Sequence, residues 1–298
     1  GASTDGTLTI TITGVNDAPT APADLANNTD EDTAVGGNLL AGATDVDAGD
    51  DLDVTLTGNN GAGQYGTLSV DSETGAYTYT PNADTLAQDQ VVTDTFTYTI
   101  TDTEGASTDG TLTITITGVN DAPVAATSGG STAYTENDAP VTVDPNLTLT
   151  DVDSPTLAGA WVGIPDGQEK PGDTLTWTPP AGSTITLDTS LSTPTLLVLS
   201  GAASVADYEA ALRNVQYSST SEDPASGTRA VGFLVFDDQF APALAFKGVS
   251  VTAVNDAPVV TTSAGETAYT ENGAPVAVDP NLTVGDVDSP TIEGAWIV

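Results

Sequence analysis

Apolar and polar residues alternate along most of this chain with a period of two. In TLTITITGV (7–15, and again at 111–119), LDVTLTG (52–58), YGTLSVD (65–71), AYTYTP (76–81) and DTFTYTITD (94–102), Leu, Ile, Val, Phe or Tyr fills nearly every second position and Thr most of the rest. Successive side chains of a strand point to opposite faces, so this pattern predicts short strands with the apolar residues turned inward and Thr outward. Gly, Asn, Asp and Pro clusters between the runs predict turns. Strands at this spacing, roughly seven per hundred residues, add up to an immunoglobulin-like β-sandwich. One stretch reads differently: in SVADYEAALRNV, Ser204 to Val215, the residues Val205, Tyr208, Ala211, Leu212 and Val215 share a helical stripe behind a Ser cap. It predicts one helix packed over an end of a sandwich.

The pattern repeats. GASTDGTLTITITGVNDAP, Gly1 to Pro19, returns unchanged at Gly105 to Pro123, and the stretch beginning VNDAPVAATSGG at Val119 returns, mostly identical, from Val254 to the end. Internal similarity of this kind marks a tandem array. Its phase predicts the last strand and linker of a preceding module at 1–19, one sandwich at 20–123, a longer one at 124–258, and the first strands of a following module at 259–298.

Composition sharpens this picture. Of 298 residues 38% are hydrophobic, enough for ordinary cores, but 42 Asp and Glu stand against 4 Lys and Arg, a formal charge of −38. Such a chain repels phosphate backbones and anionic lipid, and its natural counter-ion is a cation. Nucleic-acid binding is therefore not expected. No apolar run is long enough to predict membrane insertion. With neither Cys nor His, thiolate nucleophiles, imidazole bases and the usual zinc sites are excluded. A glycosidase-like carboxylate pair stays conceivable in any acidic sandwich, yet copies of one active site in tandem make little sense, and no enzyme is expected.

The acids recur at equivalent places. Each module start carries a Glu in TDED or YTEN (Glu31, Glu136, Glu271), then DVD (Asp45 and Asp47; Asp151 and Asp153; Asp286 and Asp288), and each boundary reads VNDAP. Two further Asp motifs follow late strands, Asp102 in TITDTEG and Asp237 with Asp238 in VFDDQF. The twelve residues from Pro19 to Glu31 span about 40 Å of extended chain, one domain length. Alternating strand directions then put Asp45, Asp47 and Asp102 at one end and Glu31 at the other, where Asn120 and Asp121 arrive. Each junction is thus expected to collect a linker Asn-Asp pair, a DVD, a late-loop Asp and a Glu from its flanking modules. Carboxylates about 5 Å apart repel by roughly 3 kcal/mol per pair at an effective dielectric near 20 unless a cation sits among them. All-oxygen ligands suit a hard cation, and six to eight of them suit Ca2+ better than Mg2+. Asp50, Asp51 and Asp53 read as surface charge; Asp84, Asp94, Glu222 and Asp223 are weaker candidates for the remaining loop.

At GVNDAP, TDVDAGDDL, DTFTYTITDTEG, DYEAALRNVQYSSTSEDP and LVFDDQF the chain resembles the cadherin-like and VCBS-type repeats of giant bacterial RTX-type surface adhesins. The resemblance implies cadherin-like β-sandwiches stacked as an elongated rod outside the bacterial cell, a calcium-stiffened extender that serves attachment or biofilm formation. It implies Asn16, Asp17, Asn120, Asp121, Asn255 and Asp256 as linker ligands. Expected partners are the neighbouring modules and a cell-surface or substratum ligand bound by domains outside this window. Two other readings remain: sugar binding by the sandwiches through Trp161, Trp177 or Trp296, of which Trp161 and Trp296 read better as core residues, and lateral or end-to-end assembly into a fibre.

Overall fold

The computed structural model describes all residues except 48, 83 and 84. The chain divides into two compact units, Gly1–Asp121 and Ala122–Val298.

Unit 1 contains seven strands: β1 (Leu25–Asp30), β2 (Val35–Asn38), β3 (Asp53–Thr57), β4 (Gly66–Val70), β5 (Ala76–Pro81), β6 (Val91–Thr101) and β7 (Ser107–Thr117). They form two sheets, β1-β7-β6-β3 and β2-β5-β4. The pair β1·β7 is parallel and the others are antiparallel. The alternation read from the sequence is the alternation observed: Phe96, Tyr98, Ile100, Leu112, Ile114 and Ile116 point into one core with Val54, Leu68 and Tyr79, while Thr95 and Thr97 face out. Gly110 lies opposite Tyr98 in the β6·β7 ladder. A Cβ there would come 2.4 Å from the tyrosine ring, so the missing side chain is what lets the ring lie across β7.

No strand is assigned at 7–15. Residues 1–19 belong to no strand, and Leu8, Ile10 and Ile12 are exposed. The same residues at 111–117 lie in β7 between β6 and β1.

Unit 2 follows the same plan with additions. Its strands are β8 (Val124–Ala126), β9 (Ser131–Thr135), β10 (Val141–Thr142), β11 (Thr148–Thr150), β12 (Thr156–Gly163), β13 (Asp173–Trp177), β14 (Thr186–Leu187), β15 (Leu196–Ser204), β16 (Val215–Ser219), β17 (Gly227–Asp237), β18 (Pro242–Thr252), β19 (Val259–Thr261) and β20 (Thr283–Gly285). The main sheet is β14-β15-β12-β17-β18-β9, faced by β10-β16-β13; β8·β11 and β19·β20 are separate pairs. As in unit 1, an early strand pairs in parallel with the last long strand, here β9, the second after the linker, with β18. The extra length goes into β14, β15 and the helix α1 (Val205–Leu212). Ser204 caps α1 by accepting the Asp207 N–H, and Tyr208, Ala211 and Leu212 are buried. The helix is shorter than the stripe suggested, because Val215 is fully buried as the first residue of β16.

Among the described residues these elements make an all-β chain of two-sheet sandwiches with one helix. Inward carboxylates are pinned differently in the two units. Asp94 of β6 accepts from the Gln64 and Tyr65 N–H groups at 2.8 and 3.0 Å and from the Tyr79 hydroxyl at 2.8 Å. Asp173 of β13 accepts from Tyr217 and from the Arg229 guanidinium at 2.8 Å, with Arg229 only 2% exposed.

Candidate metal centres

In unit 1 the first cluster forms where the linker meets the loop between β2 and β3. Thr20 and Thr44 exchange backbone hydrogen bonds, Thr20 N–H to Thr44 O at 2.8 Å and the reverse at 3.3 Å, which ties linker to loop. The loop is shaped by its own acids: Asp45 Oδ1 accepts the Asp47 N–H at 2.8 Å, a short Asx turn. Asp47 Oδ2 then accepts the Asp17 N–H at 2.7 Å, and Asn16 Nδ2 donates to Asp102 Oδ2 at 2.9 Å. Carboxylate oxygens of Asp45, Asp47 and Asp50 lie within 4.8 Å of one another. Asp45 Oδ2 is buried with no hydrogen-bond partner.

Asp102 closes the β6–β7 turn, its Oδ1 accepting the Gly105 and Ala106 N–H groups at 2.6 and 2.8 Å. Burial pushes its carboxyl up, but the donors Asn16, Ala106, Gly105 and Glu104 together hold it below the usual carboxylate value. Glu104 shows the opposite behaviour. A hydrogen bond with Asp50, the charge of Asp50 and burial raise it. Crowded like charges favour the neutral form of a carboxyl group, and this is the cause of the upward shift.

Unit 2 carries a second cluster around the linker at 254–256. Glu136, the residue after β9, is 4% exposed. Its Oε2 accepts the Val254 N–H at 2.7 Å, while its Oε1 is buried and partnerless. Glu222, Asp256 and Glu136 bring carboxylate oxygens within 4.8 Å. Asp256 Oδ2 is likewise buried without a partner, and its N–H donates to Asp288. Asp286 turns the chain there as Asp45 does in unit 1, accepting from Asp288 and Ser289 N–H at 3.0 and 2.8 Å.

The remaining expected residues fall on either side of the 121/122 division and are described unit by unit. In unit 1, Glu31 is 3% exposed and both its oxygens are bonded, Oε1 to Val119 N–H at 3.0 Å and Oε2 to Leu86 N–H at 3.1 Å. Asn120 Nδ2 donates to the Asp121 carbonyl at 3.2 Å. In unit 2, Asp151 Oδ1 accepts from Asp153 and Ser154 N–H at 2.9 and 2.6 Å, and its Oδ2 is buried and unpaired. Burial above all raises its carboxyl, with Asp237 and Asp153 adding to the effect. Asp237 is fully buried and accepts from Gln239 and Ala241 N–H; Asp238 accepts from the Ser154 hydroxyl at 3.1 Å.

The cations lie elsewhere. Arg229 is spent on Asp173, Lys247 on the Ser128 and Gly129 carbonyls, and Arg213 on Glu209 and the Leu147 carbonyl. Oxygens drawn from separate loops, some buried and unpaired and none opposed by Lys or Arg, fit a hard divalent ion. By charge and ligand number they fit Ca2+ better than a strictly octahedral ion.

Three expectations need correction. Asp50 is a member of the first cluster, not surface charge; the run DVDAGDD contained it as a third acid on the same loop. Asp94 does not belong with Glu31, since its carboxylate is buried in the core and satisfied by three donors. It stands in phase with Phe96, Tyr98 and Ile100, which marked it as inward. Trp161 and Trp296 are 46% and 97% exposed, not core residues, whereas Trp177 is half-buried and its Nε1 donates to the Ala211 carbonyl at 2.8 Å. Glu222, a weak candidate from sequence, joins the second cluster; Asp223 and Glu271 are exposed, and Asp84 lies outside the described residues.

An all-β repeat whose linkers run through oxygen-only clusters defines the class of this protein. Residues 16–118 match the family model of the bacterial cadherin-like domain. Cadherin-like domains are extracellular, non-enzymatic modules of the adhesion type and generally bind Ca2+. Among solved structures the chain is similar to protocadherin gamma B2 extracellular cadherin domains 1–5 (17% identity, TM-score 0.43, covering 93% of this chain and 47% of that one). It is also similar to protocadherin gamma B2 domains 3–6 (15%, 0.43, 91% and 56%) and to the protocadherin gamma B4 extracellular domain (20%, 0.41, 93% and 39%). The chain spans about half the length of the first two. No curated protein matches its sequence. No helix among the described residues is long and apolar enough to cross a membrane.

Proposed function

We propose that this chain is a stretch of an extracellular extender in which Ca2+ at the module linkers stiffens a tandem array of cadherin-like sandwiches. The observation that carries this reading is the set of buried, partnerless carboxylate oxygens at the linkers: Asp45 Oδ2 in the first cluster, Glu136 Oε1 and Asp256 Oδ2 in the second. Such oxygens cost stability unless a charge compensates them. In the first cluster Asp45, Asp47, Asp50 and Asp102 would hold the ion with Asn16 and Asp17. In the second, Glu136, Glu222 and Asp256 would do so with Asn255, Asp286 and Asp288. Bound Ca2+ supplies electrostatic cross-linking only. The protein's part is to deliver ligands from the linker and from two or more loops, so that a filled site fixes the linker to the sandwich and an empty one leaves it under charge repulsion.

Extracellular Ca2+ near millimolar fills even sites with dissociation constants of about 10⁻⁴–10⁻³ M to a useful extent. The repeats, the acidity and the cadherin-like match at 16–118 support placing the array on a bacterial surface, in an RTX-type adhesin that serves attachment or biofilm formation. The adhesive ligand would then be bound by other parts of the protein. Small-angle scattering of the chain with Ca2+ and with a chelator tests the reading: the radius of gyration should rise, and its spread fall, when Ca2+ is present. An identical profile in both conditions would sink the proposal.

A further inference from the structure

The outward faces of the corresponding sheets differ in the two units. In unit 1, β6 and β7 present Thr95, Thr97, Thr113 and Thr115; in unit 2 the equivalent surface of β12, β17 and β18 carries Trp161, Phe236, Leu244 and Phe246. A sandwich has no structural need for such a surface, and exposed apolar patches mark interaction sites. Here the patch is concave. Trp161, Phe236, Phe240, Leu191 and Val198 line a groove of about 380 Å³ together with Asp188. Trp161 and Phe236 meet edge to face, with ring centroids 5.7 Å apart. Phe240 and Leu191 are 73% and 59% exposed.

Phe240 is held where the backbone resists it. Its φ is +64°, a left-handed conformation that strains a non-glycine residue. The matching turn of unit 1 places Gly105 at that position with φ +96°. Both turns bond alike, Gly105 N–H to Asp102 O and Phe240 N–H to Asp237 O, each at 3.3 Å. Glycine satisfies the turn; phenylalanine adds only a ring beside Trp161.

Among the described residues Asp188 is the only charged one lining the groove. Its Oδ1 is fixed by the Ser190 N–H and hydroxyl at 2.9 and 2.6 Å, and those bonds hold its carboxyl below the ordinary value. Aromatic faces with an ionised carboxylate, in a chain of charge −38, are complementary to a cation and hostile to an anion. We propose that this groove is a docking site for a basic side chain, Lys or Arg, presented by a partner polypeptide. A second copy of this chain is poorly suited to be that partner. Three of its four cationic side chains are engaged internally, which leaves Lys170.

The test uses the full chain in saturating Ca2+, with binding followed in NMR titrations by the backbone amide signals of the groove residues Gly159, Asp188, Leu191 and Ser200. The probes are acetyl-Gly-Arg-Gly-Lys-Gly-amide, its neutral counterpart with Gln for Arg and Lys, and maltotriose. The basic peptide should bind and weaken as salt is raised, and the two neutral probes should not bind. Trp161→Ala and Phe240→Gly should each weaken it about fivefold or more, and Asp188→Asn about threefold. Phe240→Gly relieves the strained backbone, so it keeps its fold and separates lost binding from lost structure. Equal affinity for the neutral peptide, no binding of the basic one, unchanged affinity in both aromatic variants, binding of maltotriose in the groove, or self-association abolished by Trp161→Ala would each overturn the proposal.

Discussion

The turn after β6 and the turn after β17 are built on one plan. In each an Asp (Asp102, Asp237) accepts backbone N–H groups from its own turn, and its N–H donates to the Ala four residues on, at 3.0 Å in unit 1 and 3.2 Å in unit 2. What surrounds this shared frame has diverged. Unit 1 relaxes the turn with Gly105, covers its sheet with Thr and holds its buried carboxylate, Asp94, with neutral donors. Unit 2 strains the turn with Phe240, exposes aromatic residues and buries a guanidinium to hold Asp173. The Glu, DVD, late-loop Asp and linker Asn-Asp positions are common to both units; the features that differ most lie in one turn residue, on the sheet face and in the core. That division is expected if the turns serve a function shared by all modules and the rest is free to specialise.

The contrast in buried carboxylates predicts the largest effect. Arg229→Met leaves Asp173 buried with its countercharge removed and should destabilise unit 2 by about 3–5 kcal/mol. Asp94→Asn in unit 1 exchanges one acceptor oxygen for a donor facing donors and should cost about 1–3 kcal/mol. Calorimetry should resolve two transitions, each variant moving only its own; a shift of both by Arg229→Met would mean that the units unfold together.

Calcium should act on the shared frame, and so on both units. At a concentration about 100 times the dissociation constant, each site adds about 2.7 kcal/mol to the folded state. Chelation should therefore lower both melting transitions by several degrees. Asp45→Asn should weaken the response of unit 1 alone, and Glu136→Gln that of unit 2 alone. A smaller effect distinguishes the turns. Exchanging their residues, Gly105→Phe should destabilise unit 1 by about 1 kcal/mol, and Phe240→Gly should stabilise unit 2 by a similar amount, measured by denaturant midpoints.

The smallest effect concerns alkaline pH. Burial raises Tyr208 from its ordinary 10.0 to about 12. Its folded value is the higher one, so the unfolded chain releases the proton first. The stability is complete below pH 10 and is lost as pH rises from there to about 12. Tyr208→Phe removes the hydroxyl that donates to Gly201 O at 2.8 Å; it should cost about 1 kcal/mol at neutral pH and flatten the alkaline slope of unit 2. An unchanged slope would reassign it to Tyr217.

Much of this was readable in the chain. Period-two alternation placed β3 to β7 and put the right residues in the core, because which face of a strand is buried follows from parity alone. The Ser204 cap and the Tyr208–Leu212 stripe gave the helix, though not its end, which Val215 settles by entering β16. Of the acid positions, the DVD motifs and the linker Asn-Asp pairs were visible as recurrences. Glu222 was readable only as a candidate for the loop at that end, since nothing in SSTSEDP distinguishes it from Asp223, which stays exposed. Asp94 was visible as an inward residue once its phase with Phe96 was counted.

The two copies of GASTDGTLTITITGVNDAP mark the boundary between what local sequence specifies and what it leaves open. The residues determine that the segment can be a strand, which face it would bury and where the linker turns away. They do not determine that it is one. At 105–123 the segment lies between β6 and β1, its amides are paired and Leu112, Ile114 and Ile116 are fully buried, an arrangement supplied by strands that precede it by up to about 90 residues, Leu25 pairing with Leu112. Hydrogen bonds and burial in a sheet come from segments remote in sequence, so only the tertiary structure decides which strands lie beside β7, and likewise which distant acids share a cluster.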